Sequence, residues 1–448
     1  MEIINSYLSG TLVPIALLIY SVFFFIKLKG HPLKNPIIVL RSIFKKHSTS
    51  GVSPIKAVIF ALAGTLGVGN IVGVASAIAL GGAGAVFWMW ISAFLAMILK
   101  YSEVVLAMLH RRTRSGANYG GAMYYMKDYF YSHKKNVLGT VYTFVFCALS
   151  LINGFTMGSI IQSNAIAESF QTAINIKPML IGVIIAVLSV IVFFFNGKKI
   201  FSLCEKLVPF VSVLYIGMSL VSIIGSYEKI PDVFTEIIDG AFSVSAVSGG
   251  GMGFLVSKAL RYGTIRGLFS NEAGCGTAPT AHATSNSDSC CEQGFLGIIE
   301  VFIDTIIVCT VTAFVILINI DSAFLFTDNP MIMVFAAFNV SLGKTSGILL
   351  SISVFLFAFA TVICWGYYGK ECIYFVSTNK AIEKAYFCVY IFTVFIGSFI
   401  QLESVWQFAD LAVGLMTLMN LYILGRMNKE IRNETLDYFK KRASQRKL

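Results

Sequence analysis

The sequence predicts an all-α polytopic membrane protein of about 11 transmembrane helices, two of them broken, arranged as a 5+5 inverted repeat behind one extra N-terminal helix. Three observations lead there. Of 448 residues, 56% are hydrophobic and only 13% charged, and mean hydropathy is +0.78. An ordinary soluble domain carries roughly 25% charged residues, so a water-soluble fold could not cover this much apolar surface. Eleven stretches reach the length of about 20 residues that a hydrocarbon core demands. Two of them are interrupted by glycines and polar side chains, at Gly64-Thr65-Leu66-Gly67-Val68-Gly69-Asn70 and at Phe269-Ser270-Asn271-Glu272-Ala273-Gly274-Cys275-Gly276.

Stretch 10–28 reads as a retained helix rather than a leader. No basic residue precedes it, its positive cluster (Lys27, Lys29) follows it, and no small-residue cleavage site stands out. Stretch 56–82 is the first broken helix, and 84–109, 137–170, 178–196 and 205–225 complete a first set of five. Stretch 240–284 is the second broken helix, followed by 294–320, 346–376, 385–401 and 404–425. Segments 226–239 and 326–345 are expected to lie along the surface. No linker separates soluble domains, so residues 1–448 read as one membrane transport domain. It divides into the extra helix (10–28), a first repeat (56–225), a second repeat (240–425) and a basic tail (426–448).

The net charge of +11 orients the chain rather than marking a nucleic-acid binder. Assigning loops alternately to two sides places 27 of the 34 Lys and Arg residues in 27–56, 110–136, 196–206, 370–384 and 426–448. These loops share one side, and the positive-inside rule makes it the cytoplasm. The N-terminus is then outside and the C-terminus cytoplasmic, in a multi-pass protein of the cell membrane that meets anionic lipid heads. With that orientation the two broken helices run in opposite directions, as an inverted repeat requires. The nine cysteines form no CxxC pair and read as free thiols.

Lipid offers an unwound backbone no partner, so irregular chain at membrane depth must be buried by protein or line a watery cavity. A pair of such breaks in matching halves points to the substrate site of a secondary transporter. At Gly67, Gly69 and Asn70 the amides opening the outer half-helix suit a carboxylate. The carbonyls of Ala63 and Leu66, just before the break, suit a hard cation. At the second break Phe269 can wall a pocket while Ser270 and Asn271 offer side-chain oxygen. Glu272 is either a proton or cation carrier or a fastener of the break through backbone amides, Arg261 or Arg266; the fastening role is preferred.

Gln162 shares a stripe with Gly154 and Gly158, a small-residue face that admits close helix approach. It therefore points into the bundle, toward either a substrate or an interhelical hydrogen bond. Ala358, Thr361 and Trp365 share another stripe. Thr361 can offer its hydroxyl to a cation or bond its own i−4 carbonyl, and Trp365 can limit pocket size. Glu300, Asp304 and His282 are expected as buried polar tethers or packing groups, and Asp410 as a wet residue near the outer interface.

Together these stretches resemble the alanine or glycine:cation symporter family, a family of sodium:alanine symporters. The likeness runs through Gly64–Val74, Ala79–Lys100, Gly120–Tyr125, Gly154–Asn164, Asn271–Ala283, Val301–Cys309 and Tyr367–Gly369. It implies a LeuT-type fold carrying a small neutral amino acid, alanine or glycine, with a sodium ion by alternating access. By the same resemblance, Gly67, Gly69 and Asn70 receive the carboxylate, and Phe269, Ser270 and Asn271 meet the amino end. Gln162 and Trp365 close the pocket, and Ala63, Leu66, Ala358 and Thr361 hold sodium. Val362 departs from the wider fold, which often places a second hydroxyl there. The rival readings are a proton-coupled carrier using Glu272 or Asp304 and, less favoured, a channel. With neither HExxH nor GxSxG, no enzyme activity is expected, and no nucleic acid or obligatory protein partner is implied.

Overall fold

Because lipid leaves the backbone no partner but itself, the chain resolves into helices joined by short turns. The computed structural model describes residues 2–44, 51–114, 116–194, 197–242, 252–319 and 329–445. Helix α1 (Val13–Lys27) continues a π-helical turn at Leu8–Leu12. Helix α2 (Pro54–Thr65) starts at an N-cap, where Ser53 Oγ accepts from Lys56 N at 3.3 Å. After the break comes α3 (Val72–Gly81), bent from α2 by 65°. Helix α4 (Gly84–Leu109) runs through the middle of the bundle, with 83% of its apolar window buried against 33% for the first span. It is therefore scaffold, whereas α1 faces lipid.

A hairpin of β1 (Arg112–Arg114) and β2 (Ala117–Tyr119) leads to α5 (Ala122–Ser132) and α6 (Asn136–Phe155). A π-helical turn, Thr156–Ile160, joins α6 to α7 (Ile161–Ile174), and α8 (Pro178–Phe193) and α9 (Gly197–Ile224) close the first half. Helix α10 (Ile230–Phe242) packs its Val233 and Ile237 inward. The second broken element follows as α11 (Met252–Asn271) and the short α12 (Ala278–His282). Residues 243–251 of that expected span lie outside the described residues.

The remaining helices are α13 (Cys290–Val301), a π-helical stretch at Phe302–Cys309, α14 (Thr310–Ile318), α15 (Pro330–Leu342), α16 (Ser346–Val376), α17 (Lys380–Gly397), α18 (Glu403–Arg426) and α19 (Asn428–Gln445). Among the described residues seven helices are long and apolar enough to cross a membrane, and the bent α2–α3 pair makes eight. The other expected passes are α8, with 16 residues, α17, with 18, and the α11–α12 pair. Met179, Leu180, Val183, Ile184, Val187 and Ile191 of α8 are exposed, as a lipid-facing stripe should be.

Segment 326–345 departs from its surface expectation. Residues 326–328 lie outside the described residues, but Asn329 caps α15 by accepting from Met331 N at 2.8 Å. Met331, Val334, Ala337 and Phe338 are then buried in the bundle while Ile332 and Val340 face out. The apolar residues surround α15 more fully than an interfacial helix needs, so it docks against α3 and α16.

Candidate functional site

At the first break, the α2 ladder ends with Leu66 N bonding Leu62 O at 2.7 Å. Gly67 then turns extended, and its amide donates to Asn70 Oδ1 at 3.1 Å. A Cβ on Gly67 would lie 2.8 Å from Thr361 Oγ1 and 3.1 Å from Gln162 Oε1, so only glycine fits between them. The next amide, Val68 N, donates to Gln162 Oε1 at 3.3 Å, and Gln162 Nε2 donates to Met157 O at 3.0 Å. Gln162 thus reaches the break from the end of a π-helical turn, a backbone form frequent at functional sites.

Across the bundle, Asn70 Nδ2 donates to Ser270 Oγ at 2.9 Å and to Asp304 Oδ1 at 2.8 Å. Ser270 Oγ donates to Asp304 Oδ2 at 2.9 Å, and Thr305 Oγ1 donates to the same oxygen at 2.8 Å. Asp304 is fully buried on the π-helical stretch and joins both breaks through its carboxylate. Asn271 bonds both within and beyond the break: its Nδ2 donates to Gly267 O at 2.7 Å and to Thr305 Oγ1 at 3.2 Å, and its Oδ1 accepts from Ala273 N at 3.0 Å.

The second break is held from outside itself. Gly274 and Gly276 have φ of +85° and +81°, which glycine adopts without strain. Their amides donate to Glu103 Oε2 and Oε1, each at 2.9 Å, forming a small anion nest around a carboxylate from α4. Asn420 of α18 donates to Glu103 Oε1 at 2.5 Å and to Gly274 O at 2.9 Å. Glu272 accepts from Thr277 Oγ1 at 2.6 Å, a side-chain hydroxyl, where the sequence suggested backbone amides, Arg261 or Arg266. Nearby, Glu300 accepts from Lys100 Nζ at 3.1 Å and lies 2.8 Å from His282 Nε2, all three fully buried. Paired and hydrogen-bonded in this way, the charges avoid the penalty of an isolated buried ion.

Carbonyls converge below the first break. Thr361 Oγ1 lies 3.0 Å from Ala63 O and 3.4 Å from Leu66 O, and also 3.1 Å from Phe357 O. The contact with Phe357 O is the expected i−4 bond, and Ala63 O and Leu66 O are further acceptors that the hydroxyl faces across the bundle. Ala358, one turn earlier, is fully buried. Val362 brings no hydroxyl, and its carbonyl accepts from Tyr390 OH at 2.7 Å.

A cavity of about 460 Å³ opens beside these groups, within the range of about 300–1,000 Å³ typical of small-molecule sites. Gly69, Gln162, Phe269 and Ser270 are among the residues that line it. A Cβ on Gly69 or Gly73 would meet nothing within 4 Å, so the cavity borders open backbone there. Gly67, Asn70, Asn271 and Trp365 stand behind this wall. Trp365 is buried against Gly158 and meets Tyr368 edge-on, with ring centroids 5.8 Å apart. Asp410 is half-buried on the cavity wall, together with Arg266, Glu168 and Trp406.

Glu103 escaped the sequence reading because its partners lie 171 and 173 residues away. The signal was nonetheless present: an acidic residue inside an apolar span is functional or paired by default. The same applies to Lys100, whose Glu300 partner is 200 residues distant.

A family model described as the sodium:alanine symporter family matches residues 1–448. An uncharacterized transporter of Haemophilus influenzae is 37% identical over 89% of this chain and 87% of its own. The sodium/alanine symporter AgcS of Methanococcus maripaludis is 33% identical over 96% of this chain and 95% of its own. Among solved structures, a Na+-coupled sialic acid symporter in a substrate-bound outward-open state superposes with a TM-score of 0.53. That alignment covers 96% of this chain and 86% of the other at 12% identity, a likeness of fold that bears out the LeuT-type architecture.

Proposed function

Because this chain belongs to the sodium:alanine symporter family, we propose that it imports a small neutral amino acid, alanine or glycine, together with sodium through alternating access. One observation carries the reading. The two broken helices meet at Asn70, Ser270 and Asp304, and a cavity borders that junction at Gly69, Gln162, Phe269 and Ser270. Open backbone at Gly69 and the start of the outer half-helix favour the carboxylate. Ser270 Oγ and nearby carbonyls favour the ammonium, and Phe269 packs the side chain. Gly67, Asn70 and Asn271 hold the two breaks in shape behind the wall, and Trp365 supports Gln162 through Gly158.

Sodium, as cargo, takes the carbonyls of Ala63 and Leu66 with Thr361 Oγ1, and Ala358 supplies the turn beneath. Membrane voltage then contributes roughly 2.3 kcal/mol per charge at 100 mV, or around fiftyfold in substrate concentration. With the N-terminus outside and the C-terminus in the cytoplasm, the cavity opens outward in a cell-membrane carrier. A second reading, proton coupling at Asp304, is favoured by one feature: its carboxylate touches both breaks.

Uptake of labelled alanine and glycine into proteoliposomes separates them. Under the sodium reading an inward sodium gradient drives accumulation and potassium or a proton gradient does not. Accumulation driven by a proton gradient without sodium would favour Asp304 as the coupling site. Absence of alanine and glycine uptake under every gradient would end the substrate assignment.

A further inference from the structure

Between residues 27 and 53 the chain carries six Lys or Arg residues and neither Asp nor Glu. Helix α1 ends at the start of this stretch, with Ile15, Ile19, Val22 and Ile26 exposed along the side that lipid must cover. Beyond Lys27 the chain does not run off into water. Lys29 and Gly30 take φ of +54° and +63°, and Gly30 N bonds back to Phe25 O at 2.9 Å. This left-handed cap ends the helix and turns the chain back toward the bundle at the level where α1 leaves the membrane.

A helix of nine residues, Pro36–Phe44, follows. At 1.5 Å per residue it is roughly 14 Å long, against about 30 Å for a hydrocarbon core, so it cannot cross. One side packs on α13, where Ile38 and Val39 join Phe24, Leu28 and Phe295 in a shared core. Ser42 is buried too, and donates to Val39 O at 2.5 Å. The other side presents Ile37 and Leu40, 62% and 56% exposed. Open apolar side chains are ordinary on a spanning helix, but this helix does not span. An outward apolar pair set among basic residues is the mark of a helix lying in the membrane interface.

We propose that Pro36–Phe44 lies in the plane of the membrane and that its outer side is a docking surface for anionic phospholipids. Ile37 and Leu40 enter the acyl region, while Lys27, Lys29 and Lys34, all exposed, meet the headgroup phosphates. Position sets the depth: α13 is the first part of the Cys290–Ile318 span, and a helix resting on it sits where headgroups give way to chains. Charge sets the lipid, because a stretch with six positive residues and no negative one favours anionic over zwitterionic heads. The basic loops as a group orient the chain, whereas this segment joins basic charge to an uncovered apolar side. The docking surface holds whichever solute the carrier moves.

The test puts a reporter on the outer side. The full-length chain with Leu40→Trp, and separately with Ile37→Trp, is reconstituted into vesicles of phosphatidylglycerol and phosphatidylcholine. The fluorescence of the unaltered chain, which has four Trp, is subtracted. The added indole should be quenched by bromine carried on the lipid chains and shielded from acrylamide in the water. At equal bromine content, brominated phosphatidylglycerol diluted into phosphatidylcholine should quench at least about twofold more than the reverse labelling. Lys27→Gln, Lys29→Gln and Lys34→Gln together should lower that ratio and leave bromine quenching in place. Two reporter positions keep the test usable if one variant fails to fold. Quenching by acrylamide and not by bromine would put this side in water, and quenching by neither would put it under protein; either result overturns the proposal. Equal quenching by the two brominated lipids, or a ratio unmoved by the triple variant, would overturn the anionic assignment.

Discussion

Asn70 and Asp304, separated by 234 residues in the chain, meet at 2.8 Å, where Asn70 Nδ2 donates to Asp304 Oδ1. The same amide reaches Ser270 Oγ at 2.9 Å, so one side chain at the first break touches both the second break and the π-helical stretch beside it. The two breaks and the π-helical stretch are therefore tied together by one buried hydrogen-bonded cluster.

Replacing Asn70 with Ala should lower sodium-driven alanine uptake at least about tenfold, because a buried carboxylate oxygen loses its donor at a cost of about 1–3 kcal/mol. Cys290→Ser, at the partly buried first residue of α13, should leave uptake near the unaltered level. Equal uptake in the two variants would remove Asn70 from the coupling junction.

Two neighbouring glycines should respond differently to one methyl group. Gly67→Ala meets Thr361 Oγ1 at 2.8 Å and Gln162 Oε1 at 3.1 Å, so the break must shift and thermal stability should fall. Gly69→Ala meets no protein atom within 4 Å and should fold normally. Its methyl enters the cavity, so KM for alanine should rise while the melting temperature stays. Parallel thermal-shift and uptake measurements distinguish the two effects.

Thr361→Val removes the hydroxyl that lies 3.0 Å from Ala63 O and 3.4 Å from Leu66 O. The sodium concentration for half-maximal uptake should rise at least about tenfold, and Thr361→Ser should restore it. An unchanged sodium dependence in Thr361→Val would place the ion elsewhere.

Glu103→Gln turns one oxygen into an amide NH2 that faces a glycine N–H across 2.9 Å. The nest then contains two opposed donors, and stability should drop by about 3 kcal/mol. Denaturation of the purified protein with and without saturating alanine checks this. A variant as stable as the unaltered chain would show that the carboxylate is dispensable to the break.

The C-terminal end of α4 offers a pH test. His110 lies 2.8 Å from Asp128 Oδ2 and 2.9 Å from Glu430 Oε2, joining the end of α4 to α5 and α19. Burial opposes its charge, but hydrogen bonds to the two carboxylates outweigh that and raise its pKa from 6.5 to about 9. A raised folded value stabilises fully below the unfolded pKa, near 6.5, and that contribution is lost as pH climbs through 9. Hydrogen exchange over Asn428–Gln445 should therefore accelerate between pH 7 and pH 9 beyond the intrinsic rate. In His110→Gln this extra acceleration should vanish.

Much of this architecture was legible in the chain because a membrane punishes departures from regular apolar helix. Gly67-Val68-Gly69-Asn70 and Phe269-Ser270-Asn271-Glu272 stand out as breaks for that reason, and their opposite directions followed from the distribution of Lys and Arg. Helical periodicity also placed Gln162 toward the interior. It did not fix depth: Trp365 shares the Thr361 stripe, yet it packs on Gly158 behind the cavity wall.

By itself, then, the sequence determined the membrane class, the helix order and the two breaks, since hydropathy, charge and backbone chemistry act locally along the chain. Only the tertiary structure decided that Glu103 caps Gly274 and Gly276, that Asp304 bridges Asn70 and Ser270, and that Arg266 shares a cavity with Asp410. Each of those depends on the angle and register at which distant helices pack, and a shift of one residue turns a helical side chain about 100° away from its partner.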